Sequence, residues 1–358
     1  MTEVVHDRPN PLTTSESSKM KRKPPRPARF RQETYLDEFD FTTVAYDVFQ
    51  AEGNLELVGP PLLNMRRRFL TQVKSKGSKY IDRRKAYSLR IPDSDEIRDR
   101  LVNGEPDLAG PFESSLTEMF RGRNVIATMQ KNNDLEWIKY WAKYYVNAHE
   151  VTGIVIYNNN TTAYSAAELA EAASVPGLEL LVVVEWPFKR GPGGGPHAKW
   201  DSDFQQFASF EHARRKYFRH ARSVINADID ELVIVSSGLS MGDHLERSGK
   251  AAAVYGGRWM SAVESDGSAE NPYRKYLFVE SGSKPCATKW SYRPSALPED
   301  AVLEVHSIRD IELDEDISYR HFRGINTGWK YDRTRPPAGD VTLAHDDVLD
   351  AALERAQL

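Results

Sequence analysis

The segment SVINADIDELVIV, residues 223–235, sets Asp228, Asp230 and Glu231 between two apolar runs. Unpaired charge is costly to bury, so acids inside a strand pattern are expected at the strand's end, facing something cationic. Asp228 and Asp230 are two residues apart, and on an extended chain such residues face the same way. The pair could bear on one divalent ion, directly or with one acid acting through water. Oxygen ligands suit Mg²⁺ or Mn²⁺, which keep several waters and bridge substrate phosphates. An ion held there would neutralise charge developing on a departing nucleoside diphosphate. An isolated Asp-x-Asp is most often a pair of surface acids. This one follows an apolar strand start in the middle of an α/β pattern, which lifts it above that reading.

The elements that would position these acids alternate along the chain. NVIATMQ, from Asn124, reads as a short strand, and the segment after it carries Leu135, Ile138, Trp141, Ala142 and Tyr145 at helical spacing. GIVIYNNNT, from Gly153, reads as a second strand with a polar cluster at its carboxyl end. A helix from Tyr164 to Ala173, stopped by Pro176 and Gly177, leads to LELLVVVEW, a third buried strand. Residues 189–201, KRGPGGGPHAKWD, are too rich in glycine and proline for an element and form either a plain connector or a lid. Their glycines run into Pro196, so this is not a P-loop. Residues 204–221 read as a helix with Phe207, Phe210, Ala213 and Tyr217 inward. The alternation predicts an α/β domain with a mostly parallel sheet and a ligand crevice at the carboxyl ends of its strands.

Composition bounds the rest. With 358 residues, 28% charged and 40% hydrophobic, the chain falls in the globular range. A net charge of −4 gives no global attraction to nucleic acid, and no such partner is expected. The lone Cys286 excludes an intrachain disulfide framework and a cysteine-cluster zinc site, as fits a reducing compartment. The start, MTEVVHDRPNPLTT, does not read as a secretion signal, and no stretch approaches the roughly 18 to 20 apolar residues that span a bilayer. The expected location is cytoplasmic, with peripheral attachment at the inner face of the membrane as an option. Residues 1–45, with the basic run KMKRKPPRPARFR, predict a disordered basic tail. Residues 46–120 are an N-terminal accessory region in which Arg66, Arg67, Arg68, Lys74, Lys76 and Lys79 interleave with Phe69, Leu70 and Val73, as on a helix with one apolar face. These charges are either solvated or a patch for an anionic membrane surface or an acidic glycan. Residues 121–335 form the expected catalytic domain, and residues 336–358 a C-terminal helix.

Taken in order, NVIATMQKNNDLEWIKYW, GIVIYNNNT, VINADIDELVI, TKWSYRP followed by VH, and YRHF resemble the DUF23-like and family-92-like glycosyltransferases and their bacterial family-2 relatives. The resemblance spans about residues 122–330 and lies in the ordered set, not in any one motif. It implies a GT-A fold, a Rossmann-like nucleotide-diphospho-sugar transferase domain. It also implies a nucleotide-sugar donor (a UDP-sugar foremost), a carbohydrate or glycoconjugate acceptor, Mn²⁺ or Mg²⁺ at Asp228 and Asp230, and an inverting single displacement. By the same resemblance Glu136 and Trp137 form the pair on the first helix, and Tyr157, Asn158 and Asn159 close the second strand beside the nucleotide. Thr128, Gln130, Lys131 and Asn132 fall at the donor end of the first strand. One departure is Asn132-Asn133, where such enzymes commonly carry Asn-Glu, and residues before about 120 are not covered.

The resemblance also makes His306, after the Lys-x-x-x-Arg-Pro run, a third metal ligand, for which a neutral imidazole is suited. His321 is its rival, and a structural role is open to either. The apolar VLEV run before His306 favours it, since a strand end could aim it at the crevice. Arg320, Arg323 and Lys330 could clamp a diphosphate, as arginine forks match phosphate oxygens, or belong to a solvated basic loop. Lys289 and Arg293 are open to the same choice between pyrophosphate contacts and structural ion pairs. An inverting transfer needs a general base, most simply a carboxylate within reach of the acceptor hydroxyl. RWMSAVESDGSAE offers Glu264 and Asp266, after an aromatic residue that could stack on a sugar. Two other readings compete. A nucleotidyltransferase would carry a glycine-rich phosphate loop where this chain has ATMQKNN, and a non-catalytic protein binding a membrane or acidic polymer would not need both aspartates.

Overall fold

The apolar runs that read as buried strands lie side by side. In the computed structural model, which describes residues 1–108, 110–195, 197–261, 270–325, 327 and 342–358, five parallel neighbours form one wing of an eleven-stranded sheet. Their order is Glu3–Asp7, Leu180–Glu185, Val151–Asn158, Asn124–Gln130 and Ser223–Asn226. The register sets Ile126 opposite both Ile154 and Ile225, and Ile154 opposite Leu181, so branched aliphatic residues stack across the wing. Beyond Ser223–Asn226 the sheet continues through the antiparallel strands Lys289–Tyr292 and Ala252–Ser261. Leu313–Phe322 pairs with Ala252–Ser261 and, antiparallel, with Glu231–Val235.

Helix Leu135–His149 buries Ile138, Trp141, Ala142 and Tyr145, the stripe its spacing predicts. Helix Ala166–Ala173 begins at a capping box between Ser165 and Glu168 and ends before Gly177, whose φ of 89° suits glycine. Helix Asp347–Arg355 adds Leu349, Ala352 and Leu353 to the same core, so the C-terminal helix is part of the main body.

Residues 1–45 differ from the expected disordered tail. Glu3–Asp7 is the edge strand of the parallel wing, and Arg22 and Arg26 are fully buried. The composition argument fails here because the apolar surface and the hydrogen-bonding edge come from elsewhere: the Leu180–Glu185 strand offers its backbone, and Arg22 pairs with Asp40 at 3.2 Å. The accessory region builds a five-stranded sheet around Asn54–Gly59 and Tyr87–Pro92. Its helix Arg66–Val73 buries Phe69 and Val73 while Arg66, Arg67 and Arg68 stay exposed, as the spacing requires.

Helix Phe204–Lys216 differs from a one-faced helix. Phe207 and Phe210 are half-buried, whereas Glu211, His212, Arg215 and Lys216 are buried. The accessory sheet covers the outer face of this helix, so its polar residues had to find partners. Arg215 donates to Glu56 at 2.8 Å and also to Glu211, and Lys216 bridges Asp7 and Asp47, each at 2.8 Å.

Candidate functional site

The acids at residues 228–231 lie where the chain leaves Ser223–Asn226, at the carboxyl end of the parallel wing. Asp228 and Asp230 are not on a strand as the two-residue period supposed, and Glu231 opens the next one. Residues 227–230 form the connection between Ser223–Asn226 and Glu231–Val235, closed by the Glu231 N–H donating to the Asp228 carbonyl at 3.1 Å. A turn, not a pleat, brings Asp228 and Asp230 to one cavity.

Aromatic tips pin that turn. Trp141 Nε1 donates to the Asp228 carbonyl at 3.0 Å, Tyr145 Oη to the Glu231 carbonyl at 3.0 Å and Tyr273 Oη to the Ile229 carbonyl at 2.6 Å. Each ring fills the core while its polar end satisfies a backbone oxygen that a tight turn would leave open. Trp141 and Tyr145 had been read only as the apolar face of a helix, and helical spacing by itself does not distinguish packing from this second task.

The carboxylates are organised by Lys289 and His321. Lys289 Nζ lies 2.7 Å from Asp228 Oδ2 and 2.9 Å from Glu231 Oε2. Burial by itself would lower the Lys289 ammonium, but Asp228 and Glu231 override it and hold it well above its ordinary range. Burial pushes the Glu231 carboxyl up, and the neighbouring Asp228 and Asp230 charges add to this against the opposing pull of Lys289 and His321. His321 Nε2 is 3.0 Å from Asp230 Oδ2, and its Nδ1 is 3.7 Å from Glu231 Oε1. One ligand atom each from Asp230, Glu231 and His321 lie within 4.8 Å of one another. Two carboxylate oxygens and an imidazole nitrogen suit Mn²⁺ better than Mg²⁺, which takes oxygen ligands, and the crowding of negative charge is what a divalent ion would relieve. Trp259 stacks on His321 at 4.2 Å, and the Arg323 guanidinium sits 4.3 Å from the same indole.

These residues open onto a cavity of about 910 Å³ that Met129 and Asn133 reach from the first strand's end. Opposed elements add Lys189, Gly193 and Gly194 from the glycine-rich loop and Asp37 and Glu38 from the N-terminal segment. Asp37 and Glu38 lie outside the resemblance, and nothing in their spacing marked them.

The expected ligands and contacts separate in this geometry. His321, not His306, stands against Asp230, because pairing of Leu313–Phe322 with Glu231–Val235 sets His321 directly opposite Glu231. His306 lines the same cavity from an exposed bend, with Nδ1 3.3 Å from the Thr288 carbonyl. Lys289 forms ion pairs with the acids themselves, so one of its two expected partners is present in the structure. Arg293 is carried to the opposite end of the sheet, since Lys289–Tyr292 runs antiparallel to Ser223–Asn226 and Tyr292 pairs with Val224. Arg320 is buried against Asp346, and Arg323 is held by Glu280. Both guanidiniums are thus engaged by carboxylates. Glu264, Asp266 and Lys330 lie outside the described residues.

The amides expected beside the nucleotide tie strand ends to loops. Gln130 Nε2 donates to Asn158 Oδ1 at 2.7 Å and Thr161 Oγ1 at 3.0 Å. Asn132, at φ 56°, accepts the Thr162 and Ala163 N–H groups at 2.8 and 3.1 Å, and Asn159 donates to the Trp186 and Phe188 carbonyls at 2.6 and 3.0 Å. Thr128 is buried and Lys131 half-buried. Tyr157 is turned away from the crevice: its hydroxyl donates to His212 Nδ1 at 2.8 Å in the layer between the sheet and the accessory region.

No family model matches the chain, and no curated protein matches it. Among solved structures it is similar to S. aureus TarS, at 12% identity and a TM-score of 0.32 over 57% of this chain and 38% of that one. It is similar also to the 1–349 form of TarS, at 11% identity and a TM-score of 0.30 over 56% of this chain and 60% of that one. A third is the apo structure of the bifunctional glycosyltransferase WbbM, at 16% identity and a TM-score of 0.25 over 42% of this chain and 27% of that one. The chain thus spans less than two thirds of the length of each.

Proposed function

We propose that this chain is a divalent-cation-dependent glycosyltransferase of GT-A type that moves a sugar from a nucleotide-sugar donor, a UDP-sugar in the first place, to a carbohydrate or glycoconjugate acceptor. One observation carries the reading: Asp228, Asp230, Glu231 and His321 converge at the carboxyl end of a parallel strand, on a cavity of about 910 Å³. That is where open α/β sheets bind ligands, and the volume falls in the range of pockets that enclose a small-molecule substrate. The ordered sequence motifs supply the class of substrate.

Asp230, Glu231 and His321 would hold the ion, with Asp228 on the cavity side. When bound, the ion supplies charge neutralisation for the departing nucleoside diphosphate. The chain's own residues do the positioning. Lys289 keeps Asp228 and Glu231 together, Trp141, Tyr145 and Tyr273 fix the turn, and Trp259 holds the His321 ring in plane. Met129 and Asn133 line the cavity from the end of the first parallel strand, and the glycine-rich loop supplies part of the opposite lining. Single displacement with inversion, with Glu264 or Asp266 as the base, completes the reading. The exposed Arg66, Arg67 and Arg68 support contact with an anionic membrane surface or an acidic acceptor, and among the described residues no helix is long and apolar enough to cross a membrane.

The test is thermal stabilisation by nucleoside diphosphates and nucleotide sugars, each with and without Mn²⁺. A ligand at about 100 times its dissociation constant adds about 2.7 kcal/mol. A panel in which Mn²⁺ makes no difference to any nucleotide would sink the proposal.

A further inference from the structure

A segment outside the family resemblance completes the cavity wall. Residues 22–40 cross the glycine-rich loop of residues 189–201 and meet it at two places. On the inner side Arg26, with a side chain exposed by 0%, enters the loop. Its Nη2 donates to the Gly194 carbonyl at 2.6 Å and to the Asp201 carboxylate, and its Nη1 donates to Gln32 Oε1 at 2.6 Å. Gln32 Nε2 donates in turn to the Gly193 carbonyl at 3.0 Å, and Asp201 accepts the Gly194 N–H at 3.2 Å. On the outer side Phe30 stacks on Trp200 at 5.4 Å, and His197 meets both rings edge-on at 5.0 and 4.9 Å.

The glycines have a physical reason in this contact. Gly194 and Gly195 sit at φ 72° and 76°, and a Cβ on Gly195 would overlap the Arg26 guanidinium. Both partners also reach the cavity: the loop through Gly193 and Gly194, the crossing segment through Asp37 and Glu38, with Lys189 Nζ donating to the Asp37 carbonyl at 2.8 Å.

We infer that Arg26 is a positioning residue of the donor site: it fixes the glycine-rich loop as a standing wall against which the nucleotide part of the donor is held. Residues 22–40 therefore belong to the binding machinery. The inference rests on the reading of this cavity as a nucleotide-sugar site. A loop of glycine and proline left to itself would have to be ordered at each binding event, and a loop ordered in advance does not carry that entropy into the affinity. Arginine suits the task because one rigid fork serves Gly194, Gln32 and Asp201 together, which the single ammonium of lysine does not reproduce.

The experiment uses the full chain with Arg26→Lys and, acting on the same contact from the exposed side of the loop, Gly195→Ala. The probe is whichever of UDP, GDP, CDP, ADP or TDP stabilises the wild type most in Mn²⁺. Calorimetry then gives the affinity for that nucleotide in Mn²⁺ and for Mn²⁺ alone, and trypsin reports cleavage after Lys189, Arg190 and Lys199. Both variants should be cut in the loop about tenfold faster and bind the nucleotide about tenfold more weakly, while Mn²⁺ alone binds as in the wild type. A loss of global stability would weaken both ligands, so the split separates positioning from folding. Unchanged nucleotide affinity in either variant, or unchanged cleavage of the loop, overturns the assignment of Arg26 and leaves the proposed function standing. A wild type that binds Mn²⁺ but none of the diphosphates overturns the proposed function and this inference with it.

Discussion

Two groups of buried acids flank the parallel strands, and they answer burial in opposite ways. Around helix Phe204–Lys216, Asp7, Asp47, Glu56 and Glu211 meet Arg83, Arg215 and Lys216 through side chains exposed by 5% or less. Burial alone would raise the Asp47 and Glu211 carboxyls, yet Lys216 beside Asp47 and Arg215 beside Glu211 override it and take these two down to about 2. At the acidic turn burial pushes Glu231 up instead, and Asp228 and Asp230 reinforce the rise. The second group also opens to the cavity, with the Asp228 side chain exposed by 39% and Asp230 by 17%. A sealed group matched by fixed cations resists change. A group that repels itself and touches solvent is one a cation can stabilise.

The largest effect should come from unmatching the sealed group. Lys216→Met leaves Asp7 and Asp47 buried without their ammonium and should cost about 3 to 5 kcal/mol in denaturant unfolding. A cost below about 1 kcal/mol would mean that solvent already enters this layer. Acid should act on the same group. The lowered carboxyls of Asp47 and Glu211 contribute stability that is full above their unfolded values and lost as pH falls toward about 2. The loss is on the order of 2 to 3 kcal/mol each, and Asp47→Asn should flatten that part of the profile. His149 adds a window above it. Burial holds this imidazole down to about 4, so its stability is full above about 6.5 and declines by about 3 kcal/mol as pH falls to about 4.

The open group should respond through ligands. His321→Ala should raise the Mn²⁺ concentration for half-saturation by about 10- to 100-fold, while His306→Ala changes it by less than about threefold. The reverse ranking would return the ligand role to His306. A smaller effect sharpens the contrast of sign. Because protons and the ion compete for Glu231, whose carboxyl is held above its ordinary value, stabilisation by Mn²⁺ should be greater at pH 7 than at pH 4.5. Equal stabilisation at both would place the ion elsewhere.

Much of the scaffold was legible in the sequence. NVIATMQ, GIVIYNNNT and LELLVVVEW read as strands because short apolar runs rich in β-branched residues and bounded by polar or turn residues favour a buried strand, and Leu135–His149 is a helix because its apolar residues recur at helical spacing. The acids, and their place after an apolar strand, were also visible. Less legible was which face of an element meets what. Helix Phe204–Lys216 has two buried faces because a sheet from residues 46–120 lies over it, and nothing local to the helix encodes that cover.

What the sequence determined by itself, then, was the strand–helix alternation of residues 124–185 and the chemistry carried at residues 228–231, since both follow from side-chain type and short-range spacing. Tertiary structure decided the partners. Strand pairing set His321 opposite Glu231 and left His306 on an exposed bend, antiparallel direction carried Arg293 away from the acids that Lys289 holds, and Asp346 and Glu280 took the arginines expected at the diphosphate. It also turned a basic, proline-rich start into an edge strand and a pin through the glycine-rich loop. The physical reason is the same in each case. A charged side chain goes where its countercharge is, and for Arg320, Lys289, Arg26 and Lys216 that countercharge lies 26, 61, 175 and 209 positions away along the chain.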